Sequence, residues 1–129
     1  MRQPAAKQGD RIRATDTHII TVPGSSPAPL PHPFNGIISG GLSANVNIMG
    51  KPAATVGSTA DNLQPHSPTP PGAAFQKAPS NKATIKVGSP TVKINGKNAA
   101  RNGDIAETCN DPDDLPIGRV NAKGTVRIG

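Results

Sequence analysis

Pro4-Ala5-Ala6-Lys7-Gln8-Gly9-Asp10 returns twice along the chain, as Pro52-Ala53-Ala54-Thr55-Val56-Gly57-Ser58 and as Asn98-Ala99-Ala100-Arg101-Asn102-Gly103-Asp104. Pro4 and Pro52 are 48 residues apart and Pro52 and Asn98 are 46 apart, a period at which one repeat is a single supersecondary unit unable to bury its apolar face alone. Three units must therefore share one core. Proline presets an extended entry, the two alanines let neighbouring backbones approach closely, and glycine allows a sharp reversal at positive φ. Asp10 and Asp104 are placed to bond nearby backbone amides after that reversal, with Ser58 as a weaker counterpart.

Outward from these segments the chain reads as short strands. Ile37-Ile38, the turn residues Ser39-Gly40-Gly41 and Val46-Asn47-Ile48 predict a hairpin that feeds into the second Pro-Ala-Ala. Ile85-Lys86-Val87, Gly88-Ser89-Pro90 and Val92-Lys93-Ile94 predict the same before Asn98. A last hairpin is expected from Arg119-Val120-Asn121 and Thr125-Val126-Arg127-Ile128 across Ala122-Lys123-Gly124. Val126-Arg127-Ile128-Gly129 matches the strand that precedes the other two copies, so its own Pro-Ala-Ala is the one at the amino terminus. The repeat is split across the termini, which predicts a closed ring with residue 1 near residue 129. The alternating Val46, Ile48, Val92, Ile94, Val126 and Ile128 are expected to face inward. The proline-rich stretch 23–33 is expected to be a rigid, extended loop.

The expected fold class is all-β, a small cone or pyramid of three pseudo-threefold β-hairpin repeats with a metal-pinned tip. Residues 1–129 are read as one domain, with repeats near 36–66, 83–110 and 117–129 plus 1–18. The composition calls for stability from outside a core: a backbone wired by short sheets, a bound metal or a partner surface. Gly and Pro number 14 and 15, Trp and Tyr are absent, and Phe34 and Phe75 are the only aromatics, so a large packed core is not available. No apolar run approaches the ~18 residues of a membrane span, and no export signal opens the chain. A lone cysteine, Cys109, excludes an internal disulfide framework. The net charge of +6 and pI near 10 invite a nucleic-acid reading. The basic residues are scattered along the sequence without aromatics to stack bases, however, so the charge is read as solubilising and no nucleic-acid partner is expected.

The three histidines and the cysteine follow the repeat. Gly9 to His18 is nine residues, Gly57 to His66 is nine, and Gly103 to Cys109 is six. Convergence of these loops brings two imidazoles and one thiol to the axis, and His32 can supply a fourth donor. Such a set, His18, His32, His66 and Cys109, suits a structural zinc ion with four protein ligands. The rival reading is a zinc-dependent hydrolase with an open His-ligated site and Asp16 or Glu107 as base. No H-E-x-x-H spacing supports it. Nucleophilic catalysis by Cys109 is set aside because no histidine is locally arranged with it.

Pro-Ala-Ala-x-x-Gly-Asp segments repeated in a short Gly- and Pro-rich chain resemble the PAAR-repeat proteins, the conical tips of type VI secretion spikes and related phage tail-like contractile injection systems. The resemblance covers nearly the whole chain. Only the third copy has the name-giving arginine, Arg101, and there Asn98 replaces the proline; Lys7, Thr55 and Ser58 are the other departures. The resemblance implies a zinc held by three histidines and a cysteine near the vertex. It further implies a non-enzymatic, membrane-piercing tip that caps a trimeric VgrG-like or phage-type β-helical spike protein. Such a protein is made in the bacterial cytoplasm, assembled on the injection apparatus and delivered out of the cell, with transient contact with a target membrane. Because the chain stops after the last strand, no fused toxin is expected and any effector cargo would bind separately.

Overall fold

Fifteen prolines and 14 glycines leave few stretches in which a helix can propagate. The computed structural model describes residues 2–68, 70 and 72–129, and among these residues it contains strands, turns and loops but no helix. In chain order the strands are β1 (Gln3–Pro4), β2 (Arg11–Thr21), β3 (Ala28–Gly40), β4 (Asn47–Ile48), β5 (Lys51–Pro52), β6 (Thr59–Asn62) and β7 (Ala74–Phe75). They continue as β8 (Lys82–Ile85), β9 (Lys93–Ile94), β10 (Lys97–Asn98), β11 (Ile105–Thr108), β12 (Leu115–Asn121) and β13 (Arg127–Ile128).

Six of them close a barrel. The order is β12-β11-β8-β6-β3-β2, and β12 returns to β2 through the pairs Arg119↔Arg13, Val120↔Ile12 and Asn121↔Arg11. Closure leaves the short strands no unpaired edge within the ring. β7 adds to the far end of β2, where Phe75 pairs with Ile20. Buried and exposed positions alternate along β6, β8 and β11. The inward positions build a narrow core around Ile12, Phe34, Ile38, Ile85 and Val120, filled out by alanines.

The repeated Pro-Ala-Ala segments meet on the pseudo-threefold axis. Ala6 N donates to Ala100 O (2.9 Å), Ala100 N to Ala54 O (3.0 Å) and Ala54 N to Ala6 O (3.0 Å), a closed cycle of backbone hydrogen bonds. A second cycle runs from Gln8 N to Pro52 O, Val56 N to Asn98 O and Asn102 N to Pro4 O, each 2.9 Å. The alanine side chains between these cycles are fully buried. After each pair the chain reverses at Gly9, Gly57 and Gly103, whose φ values of 91°, 96° and 87° lie where a Cβ is unfavourable. The expected side-chain bonds close the reversals: Lys7 N donates to Asp10 Oδ2 (3.0 Å), Thr55 N to Ser58 Oγ (2.9 Å) and Arg101 N to Asp104 Oδ2 (2.7 Å).

Two of the three reversals are ion-paired and one is neutral. Arg101 Nη2 lies 2.8 Å from Asp104 Oδ1 and Lys7 Nζ lies 3.2 Å from Asp10 Oδ2, whereas Thr55 and Ser58 occupy the same places in the second repeat. Ser58 is 0% exposed, so Ser58→Asp alone inserts an unpaired charge and is expected to cost about 3–5 kcal/mol. Adding Thr55→Arg supplies the missing cation and should recover most of that loss. Urea unfolding of the two variants checks this, and a double variant no more stable than Ser58→Asp would refute the repeat equivalence.

The hairpins differ from their sequence-based register. Strand 47–48 pairs with 51–52 across Met49-Gly50 (φ 52° and 80°), and 93–94 pairs with 97–98 across Asn95-Gly96 (φ 53° and 79°). Two residues of positive φ make the reversal that matches strand twist, and it outcompetes the longer turn expected at 39–41. Residues 36–40 instead join the barrel between β2 and β6, Ile85 pairs within β8 to β11, and β12 pairs with β11 and β2 rather than with 125–128. The third hairpin is the expected split one, with Gln3↔Ile128 and Pro4↔Arg127. Residue 1 lies outside the described residues.

The alternating apolar residues of these hairpins lie outside the main core. Ile48 packs with Ala5 and Ala53 in a second, small cluster bordered by Val46, Ile94 and Ile128, while Val126 is 40% exposed. Hairpins only two residues deep cannot reach the barrel interior, so their apolar sides meet around the axis at its end. The proline stretch also differs from a loop throughout. From Ala28 it is strand, pairing Leu30 with His18 and His32 with Asp16. Pro29, Pro31 and Pro33 are exposed at alternate positions, where a strand edge tolerates missing donors.

Candidate metal centre

At the barrel end opposite the hairpins, strand alternation puts Asp16 and His18 on one face of β2 and His32 and Phe34 on one face of β3. His66 arrives on the segment after β6, held where His66 N donates to Asn81 Oδ1 (2.8 Å). Cys109 follows β11 and is tied to β2 on its outer side: Thr17 N donates to Asn110 Oδ1 (2.7 Å) and Ile19 N to Asp111 Oδ2 (2.8 Å). Phe75 closes over the cluster, its ring centroid 5.6 Å from that of His18 and 5.5 Å from that of His32.

The three imidazoles form a near-regular triangle, with ring centroids 5.0 Å apart for His18 and His66 and 5.4 Å for each pair that includes His32. All three, with Cys109 and Asp16, are buried. One donor atom from each of Asp16, His18, His66 and Cys109 lies within 4.8 Å of the others. The closest group thus holds three of the residues expected from sequence, His18, His66 and Cys109, with Asp16 as its fourth member; the ring of His32, the donor without a repeat mate, lies 5.4 Å from those of His18 and His66.

Asp16 organises the hydrogen bonds of the cluster. Its Oδ2 is 2.8 Å from His66 Nε2 and accepts from Cys109 Sγ (3.5 Å), while Oδ1 accepts from Thr108 Oγ1 (2.5 Å) and Asn110 Nδ2 (3.5 Å). Glu107, which precedes Cys109 in Glu107-Thr108-Cys109 as Asp16 precedes His18 in Asp16-Thr17-His18, does not share this role: it is partly exposed and 4.0 Å from Lys86. Asn81, Thr108 and Asn110 carried no sequence signal, whereas Asp16-x-His18 at the strand period of two could have marked Asp16.

The donor chemistry fits a metal ion. His32 Nδ1 lies 3.0 Å from Leu30 O, which leaves its buried Nε2 without a partner, while His18 turns Nε2 toward Cys109 Sγ (3.8 Å) and its Nδ1, without a hydrogen bond, lies 3.6 Å from Asp111 Oδ2. Such orphaned ring nitrogens are costly unless a cation or donor meets them. Burial, aided by neighbouring His66 and opposed by Asp111, holds the His18 pKa below its usual value. Burial also raises the Cys109 thiol, opposed by a hydrogen bond from the Asn81 backbone. A neutral imidazole is ready to ligate, and a bound cation would convert the thiol to thiolate. A cavity of about 170 Å³ reaches His18 and Cys109 between Ser80 and Asp111.

A closed all-β ring of three hairpin repeats on a hydrogen-bonded axis, with a buried His/Cys/Asp cluster at one end, defines a small pseudo-threefold domain. The chain belongs to the PAAR motif family, whose profile matches residues 28–112, the PAAR-repeat proteins of type VI secretion spike tips. No curated protein matches the chain. The family match spans the second and third repeats, and the split first repeat is joined to them by the β1–β13 pair and the alanine cycle.

Proposed function

We propose that residues 1–129 act as one non-enzymatic unit, a zinc-stabilised tip that caps and sharpens a trimeric, membrane-piercing spike of a contractile injection machine. The observation that carries this reading is the double cycle of backbone hydrogen bonds on the axis. A single chain with internal threefold symmetry can seat on a true homotrimer, each hairpin meeting one subunit. Three shallow hairpins at one end offer short strand edges to such a partner.

Zinc would be held by His18, His66 and Cys109, with Asp16 and His32 competing for the fourth place. Bound there, the ion supplies a crosslink and no reaction, because four protein donors leave no place for an activated water. It would tie β2, β3, the segment after β6 and the end of β11 into one rigid point. The chain's own residues position the donors: Asn62, 3.4 Å from His66 Nδ1, orients His66 and leaves Nε2 for the ion, and the Leu30 carbonyl orients His32.

The tip would be made in the bacterial cytoplasm, assembled on the injection apparatus and delivered out of the cell or into a target cell, with a target membrane met during contraction. Co-purification with a trimeric β-helical spike protein, followed by imaging, tests the reading. A complex with the hairpin end seated on the trimer and the His/Cys end outermost is expected; the opposite orientation, or no complex, would overturn it.

A further inference from the structure

Charges that look scattered along the sequence are sorted by the fold. The hairpins and the segments flanking them, residues 2–9, 35–60, 86–103 and 119–129, contain no Asp or Glu. They hold most of the chain's basic side chains. Lys51 and Lys97 occupy one repeat position, opposite Ile48 and Ile94 in the hairpin register, and Lys93 and Arg127 occupy another, opposite Asn98 and Pro4. All four are exposed, and none forms an ion pair among the described residues. Lys51 and Lys97 lie directly across the register from Ile48 and Ile94, which belong to the small apolar cluster with Val46 and Ile128. The other end is different, with Asp111, Asp113 and Asp114 in one turn and Asp61 beside Lys82.

Like charges gathered around one axis repel one another in the free protein, and a surface of opposite sign relieves that repulsion on contact. From this we infer that the hairpin face is an electrostatic dock for an acidic partner, and that the end of the trimer it seats on presents Asp or Glu side chains at threefold-related positions. The inference rests on the spike-tip reading above and names the chemistry of the partner. Two cationic positions that recur with the repeat fit carboxylates that recur with a trimer's symmetry. An apolar cluster beside the cationic positions matches the mixed build of a protein interface. A nucleic acid fits less well: neither phenylalanine lies on a hairpin, so no base-stacking platform is present. The hairpins carry no acid, and the nearest carboxylates, Asp10 and Asp104, are ion-paired with Lys7 and Arg101; this gives the docked tip one orientation, since the acidic turn at the opposite end would be repelled.

The test measures binding of the full chain to each trimeric β-helical spike protein of its source bacterium, at low and at high salt. Wild-type affinity is expected to fall at least about tenfold between low salt and ~0.5 M salt, where screening acts within a few ångströms. A variant with Lys51→Glu, Lys93→Glu, Lys97→Glu and Arg127→Glu should bind at least about tenfold more weakly at low salt, with unchanged Tm and metal content. Lys97→Glu and Arg127→Glu singly guard against a folding defect in the fourfold variant. Salt-independent binding by wild type, equalled by the variants, would overturn the charge inference while leaving the spike-tip reading intact. Absence of binding to every spike at any salt would remove that reading and this inference with it. Duplex DNA serves as the competing probe: DNA binding that the reversals abolish, with spike binding untouched, would reassign the surface and overturn the proposal.

Discussion

Cys109→Ala is expected to purify without stoichiometric zinc and to melt at least ~10 °C below the wild-type chain, a shift that a few kcal/mol produces in a domain of this size. The size of the effect follows from the poverty of the core. Phe34, Ile12, Ile20, Ile38, Ile85 and Val120 are the large apolar side chains that are fully buried, at about 1.5–3 kcal/mol each, and alanines fill the remainder. A structural zinc in a small site is worth on the order of 10 kcal/mol. His66→Ala should behave alike, because it removes one donor and leaves the Asp16 oxygen at 2.8 Å without its partner. His32→Ala and Asp16→Asn then separate the two contenders for the fourth place, since the one that ligates loses zinc when altered. Elemental analysis and thermal melts with and without chelator provide the readout. Unchanged zinc content in Cys109→Ala and His66→Ala would sink the site.

Ala54→Leu is expected to destabilise the chain by about 3 kcal/mol or more, at the upper end of what overpacking costs. Ala54 is 0% exposed and its backbone takes part in the axial cycle on both sides, donating to Ala6 O and accepting from Ala100 N at 3.0 Å each. A larger side chain can be housed only by moving a neighbouring repeat, which breaks the cycle. The same change at Ala6 or Ala100 should cost a similar amount. Ala44→Leu, at an exposed position ahead of β4, should stay within about 0.5 kcal/mol. Urea midpoints decide the matter, and wild-type stability in Ala54→Leu would refute the axial role of the alanine pairs.

Particular residues show how far the letters carried. The Pro-Ala-Ala segments, their glycine reversals and the Asp10, Ser58 and Asp104 side-chain bonds were readable because each is a local geometry that one residue type favours. The split repeat was readable from the match of Val126-Arg127-Ile128 to its two counterparts. The hairpin register was not, although Asn95-Gly96 is a strong turn signal, because 39–41 and 88–90 offered a second plausible turn and only barrel closure removes it. The basic residues were read as a scattered, solubilising charge; folding gathers them on one face.

Sequence alone determined the threefold repeat and the all-β class and singled out His18, His66 and Cys109 by their place in the repeat, because period and residue chemistry are properties of the chain order. Tertiary structure alone decided that Asp16 sits among those donors, that the axial contact is a closed backbone cycle, and that the hairpin face carries one sign of charge. These depend on which surfaces meet after three distant segments close around an axis. No local preference records that meeting.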